Sequence, residues 1–388
     1  MTASLSREEL CSVMDRVQVA VLVRSGMAGS VFLHGLFDQH EEVATAPTLW
    51  VYDFYSHDDA VLSPETYLDL VVRNTAYLFD LKRWFDPEGV RKAMCEIDRE
   101  AFCALFFSLC QTYGPCGRRE YFLLFHIALF LLRGRKIENL KLILAYFHGA
   151  VASVCMERKP QGERVAYMPD PEKIFQDFPE VRFISLIRNP IYELESTRGE
   201  RRWSPHALIL FLIHRVLFWN QVYFTLSSGC PVFMLKTPDL HQHFDAVMKA
   251  LSAFLGLTYN PSLRESTFWG NAFAVSGKQK VLTNGPNPDF IDYKGLLSGY
   301  EISIPRFFFR DPIARFFPEA VVPTQWTDRP KRWGFYVLCV LYLCRFRDLL
   351  TEYRDCFPLF LRYYPTLKKF RSLDISHVQT YKNMGTEA

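Results

Sequence analysis

The run Val17-Gln18-Val19-Ala20-Val21-Leu22-Val23 stops abruptly at Arg24-Ser25-Gly26-Met27-Ala28-Gly29-Ser30, and no other junction constrains the fold of this chain as strongly. A short, nearly continuous β-branched run is the pattern of a strand buried on both faces, as in a parallel sheet covered by helices. Beyond the small-residue loop, Val31-Phe32-Leu33 and Leu36-Phe37 fall at helical spacing, so a helix is expected from near Gly29 or Ser30 to near His40. Strand, small-residue loop and helix in that order turn backbone N–H groups and a helix N-terminus toward one point, which suits an anion.

Two further units repeat the layout. Val181-Arg182-Phe183-Ile184-Ser185-Leu186-Ile187 is an apolar strand ending in Arg188; Asn189 suits an N-cap and Pro190 the first helical position, so the next helix carries Glu193, Ser196 and Thr197. Val232 to Leu235 leads through Lys236-Thr237-Pro238-Asp239 into a helix with apolar Phe244, Val247, Leu251, Phe254 and Leu255, for which Gly256 is a C-terminal stop. Repeated strand-to-helix units of this kind predict an α/β fold with a parallel sheet flanked by helices. Residues 62–160 read as a helical insertion over that sheet, and residues 276–388 as an irregular and then helical C-terminal extension, helical from Trp333 to Arg354, all within one domain spanning 1–388.

Composition narrows the function classes. With 45 basic and 42 acidic residues the formal charge is +3, too balanced for a nucleic-acid or anionic-membrane partner. The first residues, MTASLSREELCSVMDRVQ, lack the basic start and apolar core of a secretory signal, so a cytoplasmic protein is expected. The apolar stretches from Tyr121 to Leu132 and from Trp333 to Cys344 fall short of the roughly 20 residues of a spanning helix, although the aromatic C-terminal stretch is compatible with peripheral membrane contact. Ten scattered cysteines in a long chain are expected to be reduced, and no CxxC or HExxH spacing points to a structural metal.

VLVRSGMAGSVFLHGLFDQHEEV resembles the 5′-phosphosulfate loop of sulfotransferases that use 3′-phosphoadenosine 5′-phosphosulfate (PAPS), whose bacterial and tyrosyl-protein branches carry Arg-Ser-Gly followed by Leu-Leu-Asp-x-His-Pro-x-Val. Here the Arg-Ser-Gly stands three residues further from Leu36-Phe37-Asp38, so Gly26-Met27-Ala28 is an insertion or Met27-Ala28 replaces Arg-Ser; Glu41 replaces the proline. RFISLIRNPIYELES is similar to the family's 3′-phosphate motif, a strand-terminal arginine followed eight positions on by a helical serine, here Arg188 and Ser196. An arginine fork meets a phosphate bidentately, and a serine adds a hydroxyl. An arginine at a helix start also pairs readily with Glu193 or Glu195. VFMLKTPDLHQHFDAVMKALSAFLGLTYNP and Phe268-Trp269-Gly270-Asn271 resemble further family segments.

The resemblance implies a P-loop-like sulfotransferase fold and a PAPS site formed by Arg24, Ser25, Gly26, Met27, Ala28, Gly29, Ser30 and Val31 with Arg188 and Ser196; Arg24 doubles as a catalytic cation, and no metal is required. The product of the cosubstrate is adenosine 3′,5′-bisphosphate (PAP). The bases of the family's branches have no counterpart at Ala166-Tyr167-Met168 or Pro47-Thr48, and Asp53 and His57 are the substitutes nearby. His34 and His148 read as packed histidines. The acceptor is open among a carbohydrate, a lipid, a small natural product and a carrier-bound intermediate, with the helical insertion as its cap. Two other functions compete. A kinase-like phosphotransferase would need a loop lysine and a magnesium carboxylate that the sequence does not show, and a noncatalytic PAP- or PAPS-binding protein would bind without turnover.

Overall fold

The computed structural model describes residues 5–24, 29–50, 63–68, 97–114, 117–148, 157–158, 164–165, 171–200, 205–272, 276–277, 280–281, 285–287, 290, 295–320, 362 and 364–384. Helix α1 (Arg7–Arg16) starts at a capping box between Ser6 and Glu9 and leads into β1 (Gln18–Arg24). Next come α2 (Ser30–Leu36) and β2 (Val43–Trp50), then α3 (Arg99–Tyr113), α4 (Arg118–Leu132) and β3 (Leu142–His148). Beyond them lie α5 (Pro171–Asp177), β4 (Arg182–Ile187), α6 (Pro190–Glu200) and α7 (Pro205–Ser227). The chain continues through β5 (Val232–Lys236), α8 (Thr237–Gln242), α9 (Phe244–Leu255), α10 (Gly299–Phe308) and α11 (Arg310–Phe316).

The five strands form one parallel sheet in the order β2-β3-β1-β4-β5. The apolar runs fold this way because each strand buries both faces. Val19, Val21 and Val23 point into a core shared with α3, α4 and α7, while Ala20 and Leu22 point into a second core with α2 and α9. Each such valine or leucine contributes about 1.5–3 kcal/mol through apolar area removed from water.

Three differences from the sequence expectation have physical reasons. Residues 142–148 lie within the segment expected to be helical, yet they form β3, beside the central strand. The six-residue apolar run from Leu142 to Phe147 does not distinguish a buried strand from a buried helix by periodicity. Helix α2 ends at Leu36, a turn before His40, because Asp38 is held elsewhere: Arg133 donates to its carboxylate at 2.7 and 3.1 Å and to its carbonyl at 2.6 Å, and Thr267 Oγ1 and the Gly270 N–H each donate to Oδ2 at 2.8 Å. Gly35 permits this close approach, since a Cβ there would lie 2.2 Å from Ser266 Oγ and 2.9 Å from the Thr267 carbonyl. Finally, α10 and α11 occupy a stretch expected to be irregular. A capping box between Ser298 and Glu301 starts α10 despite Pro305 inside it. Residues 321–361, including the expected helix from Trp333, lie outside the described residues.

The outer edge of β5 is covered. Gln379 donates its N–H to the Val232 carbonyl and accepts from the Met234 N–H, both at 2.9 Å, adding one parallel bridge to the sheet. Among the described residues no helix is long and apolar enough to cross a membrane.

Candidate functional site

The strand order locates the site. From β1 the chain crosses outward to β2, whereas from β4 it crosses the other way to β5, so the carboxyl ends of β1 and β4 flank a topological switch point, the crevice where open α/β sheets bind ligands. Register puts Arg24 opposite Leu186 and His148, two residues short of Arg188, and puts Ile187 opposite Lys236. Cationic residues from three strands therefore end on one edge.

Arg188 is 7% exposed and donates from Nη1 to Ser196 Oγ at 2.8 Å, so the two sequence-singled residues meet across the β4–α6 turn. The turn forms as its local chemistry requires. Asn189 Oδ1 accepts from the Ile191 N–H at 3.0 Å and Pro190 opens the helix. Asn189 is fully buried, and its Nδ2 has no acceptor among the described residues. Glu193 lies 3.0 Å from Arg215 Nε, and Glu195 Oε1 accepts from the Leu296 N–H at 2.5 Å.

An aromatic column stands over the fork. The Arg188 guanidinium lies 5.8 Å from the Phe290 ring centre; Phe290 stacks on His241 at 4.4 Å, and His241 on Phe32 at 5.2 Å. Burial, and then the nearby Arg188 charge, push the His241 imidazole down to about 4. It is therefore neutral at pH 7, and Nδ1 accepts from the Asn287 N–H at 3.4 Å. Gly29 caps α2 at φ +77°, and a Cβ there would touch Thr237 Cγ2 at 3.7 Å, so the β1–α2 junction abuts the start of α8. Thr237 Oγ1 in turn donates to the Ile187 carbonyl at 3.4 Å. At the end of β5, Lys236 Nζ lies 3.5 Å from Glu319 and 5.2 Å from the Phe317 ring centre.

Of the other expected site residues, Arg24 closes β1, Gly29 and Ser30 open α2 with Ser30 buried, and Val31 is in the first turn. The side chains of Arg24 and Val31, and residues Ser25, Gly26, Met27, Ala28, Asp53 and His57 altogether, lie outside the described residues. His34 is buried, its Nε2 3.4 Å from the Leu144 carbonyl, whereas His148 ends β3. Sequence reasoning did not single out Phe32, His241, Phe290 or the Asn189 amide as site residues. Among the described residues no group of three or more His, Cys, Asp or Glu could hold a metal ion.

The described donors along this edge include the Arg188 guanidinium, the Ser196 hydroxyl and the Lys236 ammonium, a set suited to oxyanions, beside aromatic rings. No family model matches the chain, and no curated protein matches it. Three solved structures similar to it are a sulfotransferase domain from the Synechococcus PCC 7002 olefin synthase, one from the curacin biosynthetic pathway, and a sulfotransferase from Mycobacterium tuberculosis H37Rv. The first has 12% identity and a TM-score of 0.38 over 69% of this chain and 80% of its own. The second has 14% and 0.40 over 75% and 96%, and the third 10% and 0.35 over 67% and 73%. The geometry itself defines an α/β chain with a parallel 2-3-1-4-5 sheet and, at its switch point, a buried arginine bonded to a half-buried serine.

Proposed function

We propose that this chain is a sulfotransferase that moves a sulfuryl group from PAPS to a hydroxyl or similar nucleophile of an acceptor. The observation that carries the reading is the 2.8 Å contact between Arg188 and Ser196 at the carboxyl edge, beside the junction of β1 and α2. In this reading the Arg188 fork and the Ser196 hydroxyl bind the 3′-phosphate, the loop from Arg24 to Val31 binds the phosphosulfate, and Phe290 offers planar surface to the purine.

The chemistry is an in-line displacement. The acceptor oxygen bonds to sulfur as the bond from sulfur to the 5′-phosphate oxygen breaks; PAP departs and the acceptor's proton passes to a base, for which Asp53 and His57 are the proposed groups. The sulfuryl group carries less negative charge than a phosphoryl group, so cations and N–H donors suffice to stabilise it in this reading. The acceptor belongs to one of four classes: carbohydrate, lipid, small natural product or carrier-bound intermediate. A cytoplasmic setting goes with the reading; Cys11, Cys103, Cys110 and Cys230 are free thiols.

The direct test compares melting temperatures with PAP and with adenosine 5′-phosphate. A ligand that binds the folded state alone stabilises it according to its saturation, so PAP should raise the melting temperature more. Equal shifts at equal concentration would remove the 3′-phosphate assignment.

A further inference from the structure

Away from the switch point, α11 and the 3₁₀ helix Tyr364–Ser372 enclose an open groove of about 400 Å³ lined by Arg310, Asp311, Ala314, Arg315 and Arg371. Its construction follows from the core beneath it. Phe316 stacks on Trp219 at 5.6 Å, and Phe370 meets Phe316 edge-on at 5.8 Å. Each ring carries an arginine as chain neighbour, Arg315 beside Phe316 and Arg371 beside Phe370, so packing these aromatics brings two guanidinium groups to one groove. Arg315 Nη2 also donates to the Leu373 carbonyl at 3.0 Å, tying the two walls together.

Among the described residues the lining of the groove does not balance its own charge. Three guanidinium groups face one carboxylate, Asp311, which accepts from Arg310 Nε at 3.1 Å, leaving a net charge of about +2. Just outside, Asp374 lies close enough to Arg315 to be influenced by its charge, and Lys368 and Lys369 precede Arg371 on the same 3₁₀ helix. Like charges held beside one another repel, an anion placed between them relieves that repulsion, and planar forks match a tetrahedral oxyanion. A phosphomonoester, close to a dianion at neutral pH, balances the +2, whereas a sulfate ester is a monoanion. The groove is also near the reaction edge: Glu319, 3.5 Å from Lys236, follows Arg315 by four residues, a reach of at most about 14 Å.

We propose that this groove binds a phosphomonoester carried by the acceptor, at a distance from the hydroxyl that is sulfated. The anion site stands on the groove alone; its assignment to the acceptor rests on the sulfotransferase reading.

Methyl phosphate, with methyl sulfate as the monoanionic control, is titrated calorimetrically at pH 8 and constant ionic strength into the full chain and into Arg371→Ala, Arg310→Ala and Arg188→Ala. Arg371 and Arg310 are exposed, so their loss leaves the core intact. Methyl phosphate should bind saturably and about tenfold more tightly than methyl sulfate. The groove component of binding should weaken about tenfold in Arg371→Ala and in Arg310→Ala and keep its wild-type affinity in Arg188→Ala, which removes only the separate binding expected at the Arg188–Ser196 fork. Absence of saturable binding, equal affinity for the two esters, or loss in Arg188→Ala with retention in both groove variants would overturn the groove site. The preference for PAP over adenosine 5′-phosphate, measured on the same proteins, should persist in Arg371→Ala. Its absence from the wild type would count against the sulfotransferase reading and hence against assigning the phosphate to an acceptor, without touching the groove as an anion site.

Discussion

Arg188 and Ser196 are eight residues apart in the chain and 2.8 Å apart in space, joined by Nη1 donating to Oγ across the β4–α6 turn. If the pair binds a 3′-phosphate, Arg188→Ala should weaken PAP binding by about 1.5–3 kcal/mol, the range for a charged hydrogen bond. Adenosine 5′-phosphosulfate, which lacks that phosphate, should bind the variant nearly as well as the wild type. Calorimetry with both ligands on both proteins isolates the coupling. A coupling of zero would mean that Arg188 only braces the helix start.

PAPS-dependent turnover should survive magnesium chelation, since the proposed displacement draws its charge stabilisation from Arg24 and the N–H donors of the loop that follows it. The assay follows PAP release with and without a chelator. Activity lost to the chelator and restored by magnesium would favour a phosphotransferase instead.

Asp38, buried with its Arg133 partner, joins the end of α2 to the Thr267–Ala272 hairpin. Breaking a buried pair from one side strands the other charge, so Asp38→Ala should cost about 3–5 kcal/mol in denaturant unfolding. A loss under about 1 kcal/mol would mean that water takes over the role of the carboxylate.

His126 should make the fold acid-sensitive. Burial pushes its imidazole down to about 4, although its Nδ1 contact with the Phe122 carbonyl at 2.8 Å opposes the shift. Below pH 6.5 the unfolded chain takes up a proton that the folded imidazole refuses until about pH 4, so stability is whole above 6.5 and falls as pH drops through this window. The full contribution is about 3 kcal/mol. Unfolding free energies of wild type and His126→Gln between pH 7.5 and 4.5 cancel the carboxylates common to both, and the variant should fall less steeply. Parallel curves would remove His126 as the source.

The parts of the fold that were legible in the sequence are those governed by local chemistry. Asn189 and Pro190 announce the start of α6, and Gly256, at φ +69°, ends α9 as its position suggests. Strand β3 was hidden because Leu142 to Phe147 is an unbroken apolar run, and the start of α10 was passed over although the Ser298–Glu301 box is a local signal. At the site, the spacing of Arg188 and Ser196 was visible because one turn joins them. The column of Phe32, His241 and Phe290 was not, because it is assembled from three segments far apart in sequence and no local pattern links them.

The bridge from Gln379 to β5 has a consequence for biosynthesis. A ribosome completes all five strands by Lys236, yet the backbone groups of Val232 and Met234 find their partner only when Gln379 has been made and has left the exit tunnel. At about 5–20 residues per second, the intervening stretch leaves a β edge open for roughly 7–30 s, a window in which another nascent chain could pair with it.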